Sequence, residues 1–298
     1  MLSSINRDPE QFRESAYLKQ FWLTLRQDTV ALISVYLFLA LLFLTVAGYL
    51  IAPYSAEQQF IGAELMPPSW SDSGQINHFF GTDDLGRDIF SRILYGFYYT
   101  VGSALLITFA IAMIGGIIGI LAATKKNSSF FILSHLFDTF LFTPILLIAI
   151  IIATLMEASL TNAMLAIFLA MLPHFIHKIY QTTQRELKRE YVVTLRLEGA
   201  TRSDLIKQVI LPNLTVIAVK ELSHIFVIAV LDISALSFIA LGASSPTPEW
   251  GAMIRDSMEL IYIAPWTVIL PGMAIVFVIL VIIMLGNGVV RVLEKYRY

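Results

Sequence analysis

Three ionisable residues mark an otherwise apolar stretch in the second half of the sequence. Glu221 stands just before the run 222–248, and His224 and Asp232 lie within it. At about 100° per residue, 221 and 232 differ by about 20° beyond three helical turns, and His224 lies one turn from Glu221. A helix would therefore carry all three side chains on one face. This stripe indicates the lining of a polar path through a membrane, or contact with another polypeptide. A third interpretation is that Lys220 and Glu221 only reach the membrane interface from the helix end.

A second polar cluster combines carboxylates, guanidinium groups and glycines. Its members are Gly81, Asp83, Asp84, Gly86, Arg87, Asp88 and Arg92. Glycine permits tight turns, and aspartate accepts backbone N–H groups or pairs with arginine. We therefore expect a self-satisfied cap on the helix that follows, in preference to direct contact with a substrate. Calcium is not expected, because the glutamate at the twelfth position of an EF-hand loop is missing.

The sequence predicts neither a metal site nor catalysis. His174 and His177 are three residues apart, but no neighbouring carboxylate supports them as metal ligands. The chain contains no cysteine, no H-E-x-x-H and no G-x-S-x-G pattern, so we assign no catalytic residue. The G-x-x-x-x-G-K-[ST] phosphate cradle is also missing, so no nucleotide or other cofactor is expected in this chain.

Composition defines the class of protein. Of 298 residues, 57% are hydrophobic and 14% are charged, whereas a soluble domain carries about 25% charged residues. The 12% of aromatic residues excludes a disordered chain. A net charge of -2 provides no basic field for nucleic acid. The expected fold class is an all-α polytopic membrane protein.

Long apolar runs predict six transmembrane helices. They lie near 29–52, 93–124, 133–156, 158–177, 213–242 and 262–290. Most of the 20 Lys and Arg residues fall in the tail 1–28, the loop 178–212 and the tail 291–298. Because basic residues accumulate on the cytoplasmic side, we expect both termini and the loop 178–212 there, and the loop 53–92 on the periplasmic side.

The basic loop 178–212 has a helical pattern of its own. Gly199 is a helix stop, Thr201 or Ser203 suits the cap of a short second helix, and Pro212 suits the first turn of the next span. Most connections have only about 4–6 residues. The loop is therefore interpreted as a docking surface in preference to a simple connection.

The segment EYVVTLRLEGATRSDLIKQVILPN (Glu190 to Asn213) resembles the coupling loop of ABC importer permeases. The resemblance departs from the family's Glu-Ala-Ala at Val193–Leu195. In that family a short cytoplasmic helix beside the glycine seats in a cleft of the ATPase subunit. The resemblance implies coupling roles for Glu190, Tyr191, Leu195, Leu197, Glu198, Gly199, Ala200, Leu205 and Pro212.

Further segments narrow the resemblance. The motif from Gly81 to Asp88, and the motif from Pro246 to Met253 that includes Pro248, Glu249 and Trp250, are similar to those of C-type dipeptide and oligopeptide permeases. The segments LMPPSWS and ELIY resemble the Sap-type group, which is linked to sensitivity to antimicrobial peptides. Together the resemblance covers about residues 29–290.

The resemblance implies a type I ABC importer permease of the bacterial inner membrane that forms half of a peptide pathway. The implied partners are a second homologous permease, two ATP-binding cassette subunits that bind ATP and magnesium, a periplasmic substrate-binding protein and the lipid bilayer. Haem and polyamines remain alternative cargoes. The competing hypothesis is an ion-coupled secondary transporter for a small polar or cationic solute, in which Asp232 would carry a proton.

Overall fold

The computed structural model describes residues 21–124 and 143–297, without the side chains of residues 208, 296 and 297. Residues 21–27 are helical, and the named regular elements in these ranges are helical as well. They are α1 (Thr29–Ile51), α2 (Ile89–Thr124), α3 (Ile145–Thr154), α4 (Leu160–Leu187), α5 (Glu190–Leu197), α6 (Arg202–Leu205), α7 (Leu211–Phe238), α8 (Trp250–Asp256) and α9 (Trp266–Arg297). Short 3-10 turns lie at Ile76–His78 and Met258–Leu260.

Five of these helices, α1, α2, α4, α7 and α9, are long and apolar enough to cross a membrane. The prediction of an all-α polytopic membrane protein is confirmed by these helices. The helix α3 has 10 residues, a length of about 15 Å. The predicted span 133–156 falls partly outside the described residues, so only its second part can be compared with α3.

Two membrane helices extend beyond the apolar runs that predicted them. The helix α2 begins at Ile89 rather than 93, because the Asp88 carboxylate accepts the Ser91 N–H at 2.8 Å and caps the first turn. The helix α4 continues to Leu187 rather than 177, because the polar residues that follow include neither glycine nor proline. The first part of the predicted loop 178–212 is therefore a continuation of a membrane helix.

The last two membrane helices are displaced relative to the predicted spans. The helix α7 begins at Leu211 and ends at Phe238, before the expected 242. The helix α9 begins at Trp266 and runs past 290 to Arg297. Hydropathy located the apolar centres of these helices, whereas caps and turns fix their ends.

Two π-helical segments lie within the long helical stretches. Phe97–Gly102 is part of α2, and Ile206–Ile210 joins α6 to α7 into one helical stretch. Such segments are rare and accommodate one extra residue in a turn. Pro212 lies in the first turn of α7, directly after the second of them.

One end of the bundle, here called the cap end, gathers the segments 52–88 and 239–265. The Arg87 Nη1 group donates to Ser245 Oγ at 3.3 Å, and the Trp266 Nε1–H donates to the Thr82 carbonyl at 3.2 Å. These bonds join the two segments across the ends of α2 and α9.

The opposite end, here called the basic end, carries the segment 188–210. The Arg291 Nε–H of α9 donates to Asp28 Oδ2 at 3.1 Å, directly before α1, and this bond lowers the pKa of Asp28. The start of α1 and the final turns of α9 therefore lie at the same end. The Gln184 amide of α4 donates to the Ala123 carbonyl of α2 at 2.9 Å, which places the ends of these two helices there as well.

The last residue of α2 and the first residue of α4 lie at opposite ends of the bundle. Thr124 is at the basic end, and Leu160 is at the cap end. Between these two residues, α3 is the helix that the structure describes.

The contact between α2 and α4 depends on two small residues. A Cβ atom added to Gly115 would lie 2.8 Å from Phe175 Cδ1, and one added to Gly119 would lie 2.8 Å from Ile179 Cβ. Any larger residue would separate the helices. The spacing Gly-x-x-x-Gly therefore acts within this chain, as it does in many membrane helix pairs.

A buried carboxyl group joins three elements at the cap end. Glu249 is 0% exposed. Its Oε1 atom accepts the Thr100 hydroxyl of α2 and the Ser234 hydroxyl of α7, each at 3.0 Å. Its Oε2 atom accepts the Ala252 N–H at 2.9 Å and caps α8. The neighbouring Trp250 ring fills the space over Gly96, where an added Cβ would lie 2.1 Å from Trp250 Nε1.

We expect Glu249→Ala to destabilise the protein strongly. The substitution leaves three buried donors without an acceptor, and each unsatisfied group costs about 1 kcal/mol or more. The expected result is a lower midpoint of thermal unfolding in mild detergent, with a cost of about 3 kcal/mol. Glu259→Ala removes an exposed carboxylate of the same segment and is the control. Equal melting of the two variants would contradict the structural role of Glu249.

Candidate functional site

The turn after α5 closes through backbone hydrogen bonds. The Gly199 N–H donates to the Arg196 carbonyl at 3.2 Å, and the Ala200 N–H donates to the Leu195 carbonyl at 3.0 Å. This pair of bonds is a Schellman motif, which requires a left-handed residue after the helix. Gly199 supplies it with φ +93°. An L-residue with a side chain would be strained at this position.

The next helix starts with a reciprocal cap. The Asp204 N–H donates to Thr201 Oγ1 at 3.3 Å, and the Thr201 N–H donates to Asp204 Oδ2 at 2.9 Å. These two bonds form a capping box. Of the two residues considered as caps, Thr201 is therefore the one that caps α6. The hydrogen bonds from Thr201 lower the pKa of the Asp204 carboxyl group.

Apolar contacts hold α5 against the following helix. Val192 is fully buried and packs with Leu205 and Val209, and Leu195 and Ala200 lie beside them. Leu195, Ala200 and Leu205 therefore determine the shape of the segment 188–210 from its inner face.

Polar contacts hold the start of α5 against α4 and α7. The Tyr191 hydroxyl donates to Glu186 Oε2 at 3.1 Å and accepts the Asn213 amide at 2.9 Å. Arg189 pairs with the same Glu186 at 3.0 Å. Partial burial, together with the bond to Glu186, raises the pKa of Tyr191. The start of α5 is thereby tied to both helices that flank the loop.

The outer face of the loop is uncovered and includes large apolar side chains. Leu197 is 85% exposed and Val193 is 48% exposed. Glu190, Glu198 and Pro212 are also exposed. An ordered helix that presents large apolar side chains to solvent is typical of an interaction surface.

A polar cavity of about 480 Å³ lies between α4, α7 and α9. Its wall includes Lys220, Glu221, His224 and Asn287. At its mouth, Lys178 Nζ lies 3.1 Å from Glu221 Oε1. In a membrane these groups must face water or another polypeptide, because hydrocarbon offers no hydrogen-bond partner.

Asp232 lies apart from that cavity. It is about 16 Å further along α7 than Glu221, at 1.5 Å per residue. It is buried, and its Oδ2 atom has no hydrogen-bond partner among the described residues. Glu221 and His224 therefore share one cavity, whereas Asp232 faces the packed interior of the bundle.

The carboxylates of the first motif bond within the cap end. Asp83 Oδ2 accepts the Arg87 Nε–H at 2.7 Å, and Asp83 Oδ1 accepts the Arg87 backbone N–H at 2.9 Å. Asp88 caps α2 and contacts His78 Nδ1 at 3.0 Å. Gly81 and Gly86 adopt φ +78° and +71° in the turns of this motif.

The remaining members of the two motifs complete this arrangement. Arg92 is buried, and its Nη1 group donates to the Ala56 carbonyl at 2.9 Å. Asp84 is exposed. Pro248 is buried beside Glu249 and Trp250. These contacts are those that a structural cap requires.

Sequence patterns did not identify several residues of these sites. The sequence indicated Lys178 only as one of the basic residues of the loop 178–212, and not as a partner of Glu221. Asn287 lies in an apolar run and was not identified as a polar residue of a site. Thr100 and Ser234 bind Glu249 from positions 149 and 15 residues away in sequence. A search for polar residues within apolar runs would have found Asn287, Thr100 and Ser234, but not their partners.

Within the described residues, no group of three or more His, Asp or Glu side chains is arranged to hold a metal ion. His174 and His177 lie near the middle of α4, and His177 contacts Gln181 one turn further along the helix.

Comparison with known proteins agrees with this arrangement. The family described as "Binding-protein-dependent transport system inner membrane component" matches residues 115–296, and the one described as "N-terminal TM domain of oligopeptide transport permease C" matches residues 16–68. The peptide transport system permease protein SapC of Haemophilus influenzae is 56% identical over 98% of this chain and 99% of its own. SapC of Escherichia coli O6:H1 is 43% identical over 94% of each chain.

A solved structure has the same fold. An inward-facing structure of the MetNI methionine ABC transporter aligns with a TM-score of 0.56 at 15% identity, over 67% of this chain and 95% of the other. The chain therefore belongs to the family of binding-protein-dependent transport system inner membrane components, as a multi-pass membrane subunit with the fold of an ABC transporter permease.

Proposed function

We propose that this chain is one of two transmembrane subunits of an ATP-driven importer of peptides in the bacterial inner membrane. The proposal rests on helix α5. The inner face of this helix packs against the rest of the chain through Val192, whereas its outer face is exposed. Peptides are proposed as the substrate because relatives that match almost the whole chain are named peptide transport permeases.

The basic end is placed in the cytoplasm. Basic residues accumulate on that side of membrane proteins, and the segment 188–210 is rich in them. The tails 1–28 and 291–298 and the coupling loop would then be cytoplasmic, and the cap end would be periplasmic. A periplasmic substrate-binding protein would deliver peptide to the cap end.

The coupling loop would dock on an ATPase subunit. Leu197 and Tyr191 would enter a cleft of the partner, with Glu190 and Glu198 at its rim. Gly199, Ala200, Leu195 and Leu205 would hold the shape of the loop rather than contact the partner.

The loop is built to transmit movement. Only two residues separate α4 from α5, and the π segment makes α6 continuous with α7. A displacement of α5 would therefore move the basic ends of both membrane helices. The bonds from Tyr191 to Glu186 and Asn213 would tie the two helices to the loop during this movement.

The energy would come from two partner ATPase subunits that bind ATP and magnesium. This chain has no phosphate cradle and is assigned no catalytic role. The ion-coupled alternative would use buried Asp232, but it leaves the exposed face of α5 without a purpose.

The polar cavity would form part of the peptide path. One permease provides only one wall of such a path, and a second homologous permease would close it. Glu221 and His224 would face the moving substrate, and the pair between Lys178 and Glu221 lies at the cytoplasmic mouth. Asp232 is placed outside the lining and is proposed to stabilise packing or contact the companion permease.

We expect Leu197→Ser to weaken binding of the ATPase subunits. Burial of a leucine side chain contributes about 1.5–3 kcal/mol, so the affinity should fall about tenfold or more. The measurement is co-purification of the ATPases with the tagged chain in mild detergent, followed by substrate-stimulated ATP hydrolysis. The midpoint of thermal unfolding should stay unchanged, because Leu197 has few contacts in this chain.

Ile61→Ser is the matched control, because Ile61 is 100% exposed at the cap end. Full recovery of the ATPases with Leu197→Ser, or equal loss with both variants, would contradict docking through α5.

We expect Glu221→Gln to reduce peptide uptake severalfold without loss of assembly. The pair with Lys178 is partly exposed and contributes about 0–1 kcal/mol to stability, so the fold should tolerate the change. Uptake of labelled peptide into proteoliposomes measures the effect. A double variant, Lys178→Glu with Glu221→Lys, keeps an ion pair between the two positions but moves the negative charge from 221 to 178.

Recovery of uptake in that exchange variant would assign the pair a structural role only. The control Glu157→Gln removes an exposed carboxylate next to the start of α4. It should leave uptake unchanged.

The proposed orientation predicts the activity of alkaline phosphatase fusions. Fusions after Tyr54 and after Ala243 should be active, because both positions lie at the cap end and the enzyme matures only in the periplasm. A fusion after Thr201 should be inactive. The reverse pattern would invert the topology.

A further inference from the structure

A cleft of about 460 Å³ lies at the basic end, between the coupling loop and the ends of α2 and α4. Thr124 and Gln184 lie on its membrane side. Lys188, Arg196 and Arg202 line it from the end of α4, from α5 and from α6. The cleft therefore brings together one cation from each element of the coupling loop.

These three cations are not neutralised by any carboxylate in the part of the chain that the structure describes. Lys188, Arg196 and Arg202 are exposed, and none of them forms an ion pair with a carboxylate of the described residues. Other cations of this end do have partners: Lys178 pairs with Glu221, and Arg189 pairs with Glu186. No acidic residue is among the described residues that line the cleft.

The cleft lies at the depth of the lipid headgroups. A helix crosses the hydrocarbon layer in about 20 residues, which from Leu160 reaches about residue 180. Gln184 is then about 6 Å beyond the hydrocarbon boundary, within the headgroup layer. Thr124 ends the uncharged part of α2, and the bond from Gln184 to Ala123 fixes the two helix ends side by side.

We propose that this cleft binds the headgroup phosphate of an anionic phospholipid. Guanidinium groups match phosphate oxygens in bidentate geometry, and basic pockets between membrane helices on the cytoplasmic side suit anionic headgroups. Leu187 and Leu205 offer an apolar wall for the adjoining glycerol backbone. The inference rests on the cytoplasmic placement of the basic end proposed above.

A phospholipid fits this position better than an acidic segment of a partner protein. The cleft lies between α5 and the helix ends, on the membrane side of the loop. The apolar side chain of Leu197, which suits a protein partner, is exposed on the loop. Phospholipid is also present at this depth at high local concentration.

The bound headgroup would regulate coupling. One phosphate would bridge Lys188, Arg196 and Arg202, and thereby fix α5 relative to the ends of α2 and α4. The stiffness of the connection between the ATPases and the membrane helices would then depend on the lipid composition of the cytoplasmic leaflet.

The test compares two double variants of the full chain, each purified with its partner subunits into nanodiscs. The nanodiscs contain phosphatidylcholine alone or a mixture with phosphatidylglycerol. Lys188→Gln with Arg202→Gln removes two cations of the cleft and leaves Arg196 of α5 in place. Arg185→Gln with Lys207→Gln removes two equally exposed cations of the same segment that do not line the cleft.

Native mass spectrometry should find phosphatidylglycerol retained on the wild type and on the control variant. Retention should fall about fivefold for each cation removed from the cleft. Stimulation of ATP hydrolysis by phosphatidylglycerol should be lost in the cleft variant only. Inorganic phosphate at the same phosphate concentration should not displace the lipid.

Three outcomes would overturn the inference. Equal loss of lipid from both double variants would indicate nonspecific surface charge. Unchanged lipid retention with loss of the ATPases from the cleft variant would indicate a protein contact. Displacement by inorganic phosphate would indicate a site for free phosphate. Failure of the proposed function would give a different result. The wild-type chain would then purify without ATPase subunits, and its retention of lipid could still be measured.

Discussion

Hydrocarbon cannot accept or donate a hydrogen bond, and this constraint divides the protein into its functional parts. Backbone polar groups are satisfied within helices, and most charged side chains of the described residues collect at the two ends of the bundle or in a cavity, whereas Asp232 is buried inside the bundle. The cap end uses Glu249, Asp83 and Asp88 to satisfy its donors internally. The basic end leaves cations and apolar side chains uncovered. One end is therefore suited to rigidity and the other to interaction.

The two ends differ in how their parts are connected. At the cap end, buried carboxyl groups link segments that are far apart in sequence, so several helices are fixed to one another. At the basic end, α5 is bonded mainly to its neighbours in sequence, through Val192 and Tyr191. Movement imposed on α5 would therefore reach α4 and α7 first, while the cap end keeps the helices in place. Such a division is what a half-transporter driven from one side requires.

Local patterns predicted local features well. The turn at Gly199 depends on a few adjacent residues, and the structure contains it. The sequence offered Thr201 or Ser203 as the cap of α6, and Thr201 is the cap in the structure. Resemblance to permeases predicted the family, which the comparisons confirm, and the coupling role of the segment around Gly199 stays a prediction. Features that depend on distant partners were not predicted, among them the pair of Lys178 with Glu221 and the cleft around Arg202. Helical periodicity predicted that Asp232 and Glu221 share one face of α7. In the structure they lie about 16 Å apart along the helix, and Asp232 is buried away from the cavity that Glu221 lines.

The π-helical segment of α2 has a consequence for the alignment of its two contact surfaces. Gly96 receives the Trp250 ring, and Gly115 receives Phe175. The distance between these glycines exceeds five α-helical turns, which take about 18 residues, by one residue. The π turn at Phe97–Gly102 absorbs that residue and brings both glycines onto one stripe. Deletion of a single residue there would remove the π turn and leave the phase intact, whereas deletion of one residue elsewhere between the two glycines would turn them about 100° apart.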